Sequence, residues 1–365
     1  MLASGATDIG RIRERNEDAF AIGDLDLGEL FDGDTAIAAT GRRGLFAIVC
    51  DGMGGAAGGE VASELAVRTT WREMREAHAT DDPEVFARLV RRAVRSANQR
   101  VFTESEREAS LRGMGTTLSA VGVCDGQLIA AQIGDSRAYL LRSGQLTQIT
   151  RDQTLTQALL GAGRDPAEAA MAGGATILQA LGVAADVDPS LSMVALRKGD
   201  RVLVCTDGLY NQLGLATLQA ILDGRSGPGA RARALCDAAR ASGGADNITA
   251  VVFDLDDDAL PAAAGDDDQP RFVEFDPREE GERALTSTSH VARRLAAQAG
   301  IGLDPGPPII PATGRHAVIL RGRIPPGASL GALVSPSSPG FAWWKPIAVV
   351  VAIAIAAAVG WCSAG

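Results

Sequence analysis

The chain reads as an α+β fold built from antiparallel strand pairs, and three features of the sequence predict it. Apolar, strand-like runs succeed one another across short turns such as Asp125-Gly126 and Ser143-Gly144, as hairpins do. Helical patterns come in consecutive pairs, at 60–77 with 83–102 and at 213–222 with 229–241. Strands and helices do not alternate singly, as they would in a wound parallel sheet. At 365 residues the chain can form one large domain or two ordinary ones, with a substantial core.

The elements follow in order. A first strand pair is expected at 6–9 and 19–22, and a central strand at 45–50. The helix at 60–77 places Val61, Leu65, Trp71 and Met74 at apolar positions. The helix at 83–102 opens with Asp82 as N-cap and Pro83 in its first turn. Strands return at 117–124, 128–133 and 138–141. Helical pattern at 155–160 and 166–171 lies among Gly161, Gly163, Gly173 and Gly174, which makes this stretch loose. Strands at 191–196 and 201–205, the second helix pair and a last strand at 248–255 complete a globular unit over residues 1–256.

Composition removes several function classes. A formal charge of −10 opposes non-specific nucleic-acid binding, which needs a basic footprint. The five cysteines show no CxxC pairing, so a disulfide framework is not expected and a reducing compartment is. Three histidines without metal spacing, and no GxSxG, leave zinc and serine-triad hydrolysis unsupported. Residues 1–5 lack the charged and apolar regions of a signal peptide.

What remains is a set of acids beside strand-like runs. Asp51 closes Phe46-Ala47-Ile48-Val49-Cys50-Asp51-Gly52, and Asp135 stands in Ile133-Gly134-Asp135-Ser136. Asp207 closes Val202-Leu203-Val204-Cys205-Thr206-Asp207-Gly208, Asp246 opens Asp246-Asn247-Ile248-Thr249, and Glu17-Asp18 follow Arg13. Any one Asp-Gly is an ordinary turn. As a set they can converge on one point, where carboxylates repel unless a cation sits among them. All-oxygen ligation suits Mg²⁺ or Mn²⁺, and an arginine adds a fork for phosphate. Metal plus arginine points to phosphoryl chemistry.

Six motifs then carry a resemblance. Arg13-Glu14-Arg15-Asn16-Glu17-Asp18-Ala19, Asp51-Gly52-Met53-Gly54-Gly55, Gly113-Met114-Gly115-Thr116-Thr117, Gly134-Asp135-Ser136-Arg137, Thr206-Asp207-Gly208 and Asp246-Asn247-Ile248-Thr249 occur in this order. The series resembles the metal-dependent Ser/Thr protein phosphatases of type 2C, in their bacterial form, over residues 5–255. The resemblance implies a four-layer αββα sandwich of two antiparallel sheets flanked by helices, with a centre of two Mn²⁺ or Mg²⁺ ions. It implies that Asp51 bridges both ions, that the Gly52 carbonyl binds one, and that Asp207 and Asp246 complete the other. Asp135 would help hold a third, weaker ion, Glu17 and Asp18 would act through metal-bound waters, and Arg13 would clamp the phosphate. Met53 stands where many eukaryotic relatives carry a histidine that is a proposed proton donor. The stretch 159–174 falls where the family has a variable flap. The implied partners are phosphorylated proteins and a Ser/Thr protein kinase.

Beyond residue 256 the texture changes. Residues 257–344, rich in Pro, Gly, Ser and acid, are expected to form a flexible linker. Residues 345–362 are uncharged after Lys345 and bracketed by Trp343, Trp344 and Trp361. About 17 helical residues span about 26 Å, which with the flanking tryptophans fits a single transmembrane helix. Basic residues precede it and none follows, so the expected placement is a cell-membrane anchor with the catalytic domain cytoplasmic. A buried Ala-rich helix is the competing reading of this segment. Two other functions compete. Residues 52–57 satisfy a dinucleotide fingerprint, although the helix after them runs straight into another helix. A catalytically weak phosphoprotein-binding scaffold is the second alternative, and the presence of Asp51, Asp207 and Asp246 counts against it.

Overall fold

The computed structural model describes residues 1–31, 37–38, 44–54, 58–174, 176–265, 268–270 and 272–275. The first third holds β1 (Leu2–Asp8), β2 (Asp18–Asp24), β3 (Glu29–Phe31), β4 (Ile37–Ala38), β5 (Leu45–Met53), α1 (Gly58–Glu76) and α2 (Pro83–Arg107). Next come β6 (Gly115–Thr116), β7 (Leu118–Cys124), β8 (Gln127–Ile133), β9 (Arg137–Arg142) and β10 (Gln145–Gln148). The helices α3 (Leu155–Gly161) and α4 (Pro166–Gly173) lead to β11 (Ser190–Ala195) and β12 (Asp200–Cys205). The chain continues through α5 (Asp207–Tyr210), α6 (Leu215–Leu222), α7 (Pro228–Ala241), β13 (Ile248–Leu255) and β14 (Val273–Phe275).

Two antiparallel sheets stack between two helical layers. One sheet runs β10-β9-β12-β13-β1-β4, the other β14-β11-β8-β7-β5-β2-β3, with β6 beside β5. Side-chain alternation in the central strands explains the layering. In β5, Phe46, Ile48 and Cys50 face the layer of α1 and α2, while Leu45, Ala47 and Val49 face the other sheet. In β13, Val251, Phe253 and Leu255 join that inter-sheet core, while Ile248, Ala250 and Val252 pack beneath α6 and α7. Both faces of these strands are therefore dry, and each fully buried Phe or Ile contributes about 1.5–3 kcal/mol. Gly23 makes room for Trp71, since a Cβ there would collide with the indole. Asp82 caps α2 by accepting from the Glu84 and Val85 amides at 2.8 and 3.2 Å.

The antiparallel neighbours of β5 exclude the dinucleotide reading of 52–57, which requires a parallel βαβ unit. The helix expected at 213–222 begins at Leu215 after Gly214, and a separate single turn, α5, precedes it. The loose stretch at 159–174 contains a helical hairpin, with Thr154 and Asp165 as caps of α3 and α4.

The segment expected to be linker from 257 onward behaves differently over its first part. Leu260 and Phe272 pack against the inter-sheet core, and β14 pairs with β11. Asp268 binds Arg197 at 2.8 Å. Asp268 reads as solvated chain because its partners Arg197 and Arg142 are 71 and 126 residues distant in sequence. Residues 345–362 lie outside the described residues. Among the described residues, no helix is long and apolar enough to cross a membrane.

Candidate metal centre at one end of the sandwich

The acids singled out in the sequence gather where strands of both sheets end. Asp18 begins β2 and lies opposite Asp51 of β5 in the ladder. Asp207 starts α5, two residues past β12, and Asp246 stands two residues before β13. Asp135 occupies the β8–β9 turn. Arg13 and Glu17 sit on the connection between β1 and β2.

Backbone and hydroxyl contacts set this geometry. Asn247 staples the 9–17 loop to the edge of β13: its amide donates to the Ile9 and Arg15 carbonyls at 3.0 and 2.8 Å, and its carbonyl accepts from the Glu17 amide at 2.8 Å. The Asp51 amide donates to Thr117 Oγ1 at 3.0 Å, and Thr116 Oγ1 donates to the Asp51 carbonyl. Gly52 donates to the Glu17 carbonyl at 3.1 Å. A Cβ on Gly52 would collide with the Gly59 carbonyl and crowd that of Glu17, so only glycine fits this end of β5. Asp207 accepts from Asn211 at 3.1 Å, one turn along.

Burial and like charge dominate the electrostatics of this end. Burial pushes the Asp51 carboxyl well above the usual carboxylate range, and Asp18, Asp207, Asp246 and Asp135 push it further. Burial also raises Asp18, to about 7, although Thr249 and Thr206 donate to its Oδ2 at 2.7 and 2.9 Å and oppose the rise. Its other oxygen, Oδ1, is buried with no hydrogen-bond partner. Asp135 rises to about 7, through burial and then the Asp207 charge. Asp207 and Glu17 are raised as well, each chiefly by burial. Five aspartates thus sit within electrostatic reach of one another without enough positive charge.

The Arg13 guanidinium at the rim is engaged. Arg13 Nη2 binds Asp246 Oδ2 at 2.8 Å, and this bond raises the guanidinium's already high pKa. Among the described residues, no three acidic, histidine or cysteine side chains are placed to ligate one ion as they stand. The site nonetheless fits a divalent cation in two respects, the buried orphan oxygen of Asp18 and an all-oxygen donor set. Met53 ends β5 near Gly115 and offers no proton donor.

All eight residues singled out in the sequence lie at this end of the sandwich, and the sequence assigns no role to the groups that hold them. Thr206 and Thr249 flank acids inside quoted motifs, and Asn247 follows Asp246. Each was visible by position, yet its partner lies some 190 to 240 residues away.

Comparisons with known proteins agree with this layout. A family model described as protein phosphatase 2C matches residues 25–226, more than half of the chain. The Ser/Thr protein phosphatase PstP of Mycobacterium tuberculosis is 40% identical over 235 residues, which cover 60% of this chain and 44% of that protein. The chain thus spans less than half the length of PstP. The Ser/Thr phosphatase stp of Listeria monocytogenes is 34% identical over 258 residues, covering 70% of this chain and 96% of the relative. The catalytic domain of PstP, solved in complex with two manganese ions, superimposes with a TM-score of 0.57 at 35% identity, covering 70% of this chain and all of that one. With these matches added to six ordered motifs and two antiparallel sheets between helices, the chain belongs to the protein phosphatase 2C family.

Proposed function

We propose that the chain is a protein Ser/Thr phosphatase that hydrolyses phosphoserine and phosphothreonine with Mn²⁺ or Mg²⁺ at the carboxylate cluster. One observation carries this reading: buried aspartates raise one another's pKa around an unpartnered carboxylate oxygen, an arrangement that only added positive charge relieves. The manganese-bound PstP domain supports the choice of ion.

In this reading Asp51, the Gly52 carbonyl, Asp207 and Asp246 hold two ions, and Asp135 with Asp207 holds a third. Bound there, the cations activate water and neutralise charge on the phosphoryl oxygens. This chain's own residues do the rest. Asp246, which pairs with Arg13, would also be a ligand, and Arg13 turned from it would offer its guanidinium fork to the substrate phosphate. Glu17, on the β1–β2 connection, and Asp18, at the start of β2, orient water, and Thr206 and Thr249 fix the direction of the Asp18 carboxylate. Met53 cannot protonate the departing serine or threonine oxygen, so that proton comes from water.

The finer assignments are proposals of the same kind. The partner is a Ser/Thr protein kinase and its substrates, and residues 345–362 anchor the chain to the cell membrane with the catalytic domain on the cytoplasmic side. The support for the anchor is the uncharged, tryptophan-bracketed sequence.

Phosphate release from a phosphothreonine peptide by the full chain, with Mn²⁺ and then EDTA, tests the activity. Release that EDTA abolishes is expected; none from a folded, metal-binding chain leaves a phosphoprotein scaffold. Deleting residues 342–365 is expected to release the protein from membranes, and a truncated chain that still sediments with them refutes the anchor.

A further inference from the structure

The Asp135 corner is held by hydrogen bonds on both sides although the Asp207 charge repels it. Gly134, at φ +86°, donates to Gln153 Oε1 at 3.1 Å, and its carbonyl accepts from the Gln153 amide at 2.8 Å. Ser136 shares a 2.6 Å hydroxyl contact with Thr117, and its carbonyl accepts from Ser119 and Gln132. Both neighbours of Asp135 are therefore pinned in the interior. Asp135 itself is fixed by one group from another element. Tyr210 Oη donates to its backbone carbonyl at 2.9 Å.

Tyr210 ends the single turn that Asp207 begins. The same four residues thus carry one carboxylate of the cluster and the hydroxyl that grips the loop bearing the other. Tyr210 is in turn clamped. The Arg137 guanidinium lies 3.7 Å from the centroid of its ring and makes a fork to Asp152 at 2.7–3.1 Å. Arg137 also donates to Tyr139 Oη at 3.1 Å, and Gln148 donates to Asp152 at 2.8 Å. A stacked, bidentate arginine is a rigid anchor, which a lysine would not reproduce.

We propose that Tyr210, clamped by Arg137, is a positioning residue that fixes Asp135 at a set separation from Asp207 and makes the pair one cation-binding corner. This rests on the metal-dependent reading above. Without the phenol hydroxyl, the two like charges move apart and the corner binds its ion less well, while ions held by Asp51 and Asp246 are little affected.

The test uses the full chain and its Tyr210→Phe and Arg137→Lys variants. Mn²⁺ binding is followed by calorimetry, and phosphate release is followed against Mn²⁺ concentration. Losing one net hydrogen bond corresponds to about fivefold weaker binding. Tyr210→Phe is therefore expected to weaken the weakest Mn²⁺ site about fivefold, leave the tighter sites in place, and raise the half-maximal Mn²⁺ concentration in step. Arg137→Lys is expected to move the same quantities in the same direction, with the near-ultraviolet dichroism of a folded chain. Wild-type Mn²⁺ affinities in Tyr210→Phe overturn the proposal while leaving the phosphatase reading intact. Equal weakening of all sites overturns it too, because that reports general loosening. A wild-type chain that binds no Mn²⁺ overturns both.

Discussion

Aspartates are buried at both ends of the sandwich, and β12 connects the two ends. Asp200 opens that strand, and Asp207 follows two residues after its close. At the Asp200 end, Arg142 makes a two-bond fork to the carboxylate at 2.9 and 2.7 Å, with both side chains almost fully enclosed. Arg142 also donates to the Ala195 carbonyl, the Arg197 amide donates to Asp200, and Asp268 lies against both arginines. Nearby, Arg231 forks to Asp254 at 2.8 and 2.6 Å. At the Asp207 end the aspartates face one another; Arg13 at the rim pairs with Asp246, and Arg137, forked to Asp152, only moderates the rise of Asp135. The fold gives Asp200 a buried arginine fork, whereas burial and like charge dominate around Asp51 and Asp18.

The same substitution at the two ends sharpens this contrast most. Asp207→Asn is expected to lower Mn²⁺-dependent phosphate release by more than about 100-fold, beyond the 10–100-fold typical of residues outside the ligand set. It is also expected to raise the melting temperature of the metal-free chain, because it removes a repelled charge. Undiminished release would remove Asp207 from the metal set.

The pH response of the metal-free chain follows. Asp18 and Asp135 are raised to about 7, so between about pH 4 and 7 the folded chain binds protons that the unfolded chain has released. Stability from these groups is therefore greatest below the unfolded pKa and lost as pH rises through 7. Each contributes at most about 4 kcal/mol, from a shift of about three units. Melting scans with EDTA are expected to show a fall from pH 5 to pH 8 that saturating Mn²⁺ largely cancels. A metal-free melting temperature that stays flat over that range would contradict the account of the cluster.

At the paired end the sign reverses. Asp200→Asn leaves the buried Arg142 with only the longer Asp268 contact at 3.5 Å, and breaking a buried pair costs about 3–5 kcal/mol. The expected outcome is a lower denaturant midpoint with Mn²⁺ affinity unchanged. A neutral effect on stability would erase the distinction between the two ends.

The contrast also separates what a sequence carries from what it does not. Central strands such as β12 and β13 were legible to within a residue, because both their faces are buried and their apolar runs are continuous. The short edge pieces β3, β4, β6 and β14 were not, since two or three residues hold no periodicity and gain their pairing from neighbours. The site's acids were legible because each stands beside a strand run, next to small or turn-forming residues. Their supports were not. Thr249, Asn247 and Tyr210 act across folds of the chain, and Asp268 lies in a segment whose composition reads as solvated linker. Arg13 is expected to clamp the substrate phosphate, and here it pairs with Asp246.

Arg13 gives the smallest and most discriminating effect. Its side chain is 51% exposed, against 3% for Arg142, so its ion pair with Asp246 adds little to folding. Arg13→Ala is therefore expected to leave the melting temperature within about a degree or two of wild type. A charge-assisted contact to phosphate is worth at least about 1.5 kcal/mol, so KM for a phosphothreonine peptide is expected to rise about tenfold or more. Arg13→Lys keeps the charge but loses the planar fork, and so should fall between the two. An unchanged KM would remove Arg13 from the phosphate site. A large loss of stability would show instead that it serves Asp246 as Arg142 serves Asp200, and the two ends of the molecule would then differ only in degree.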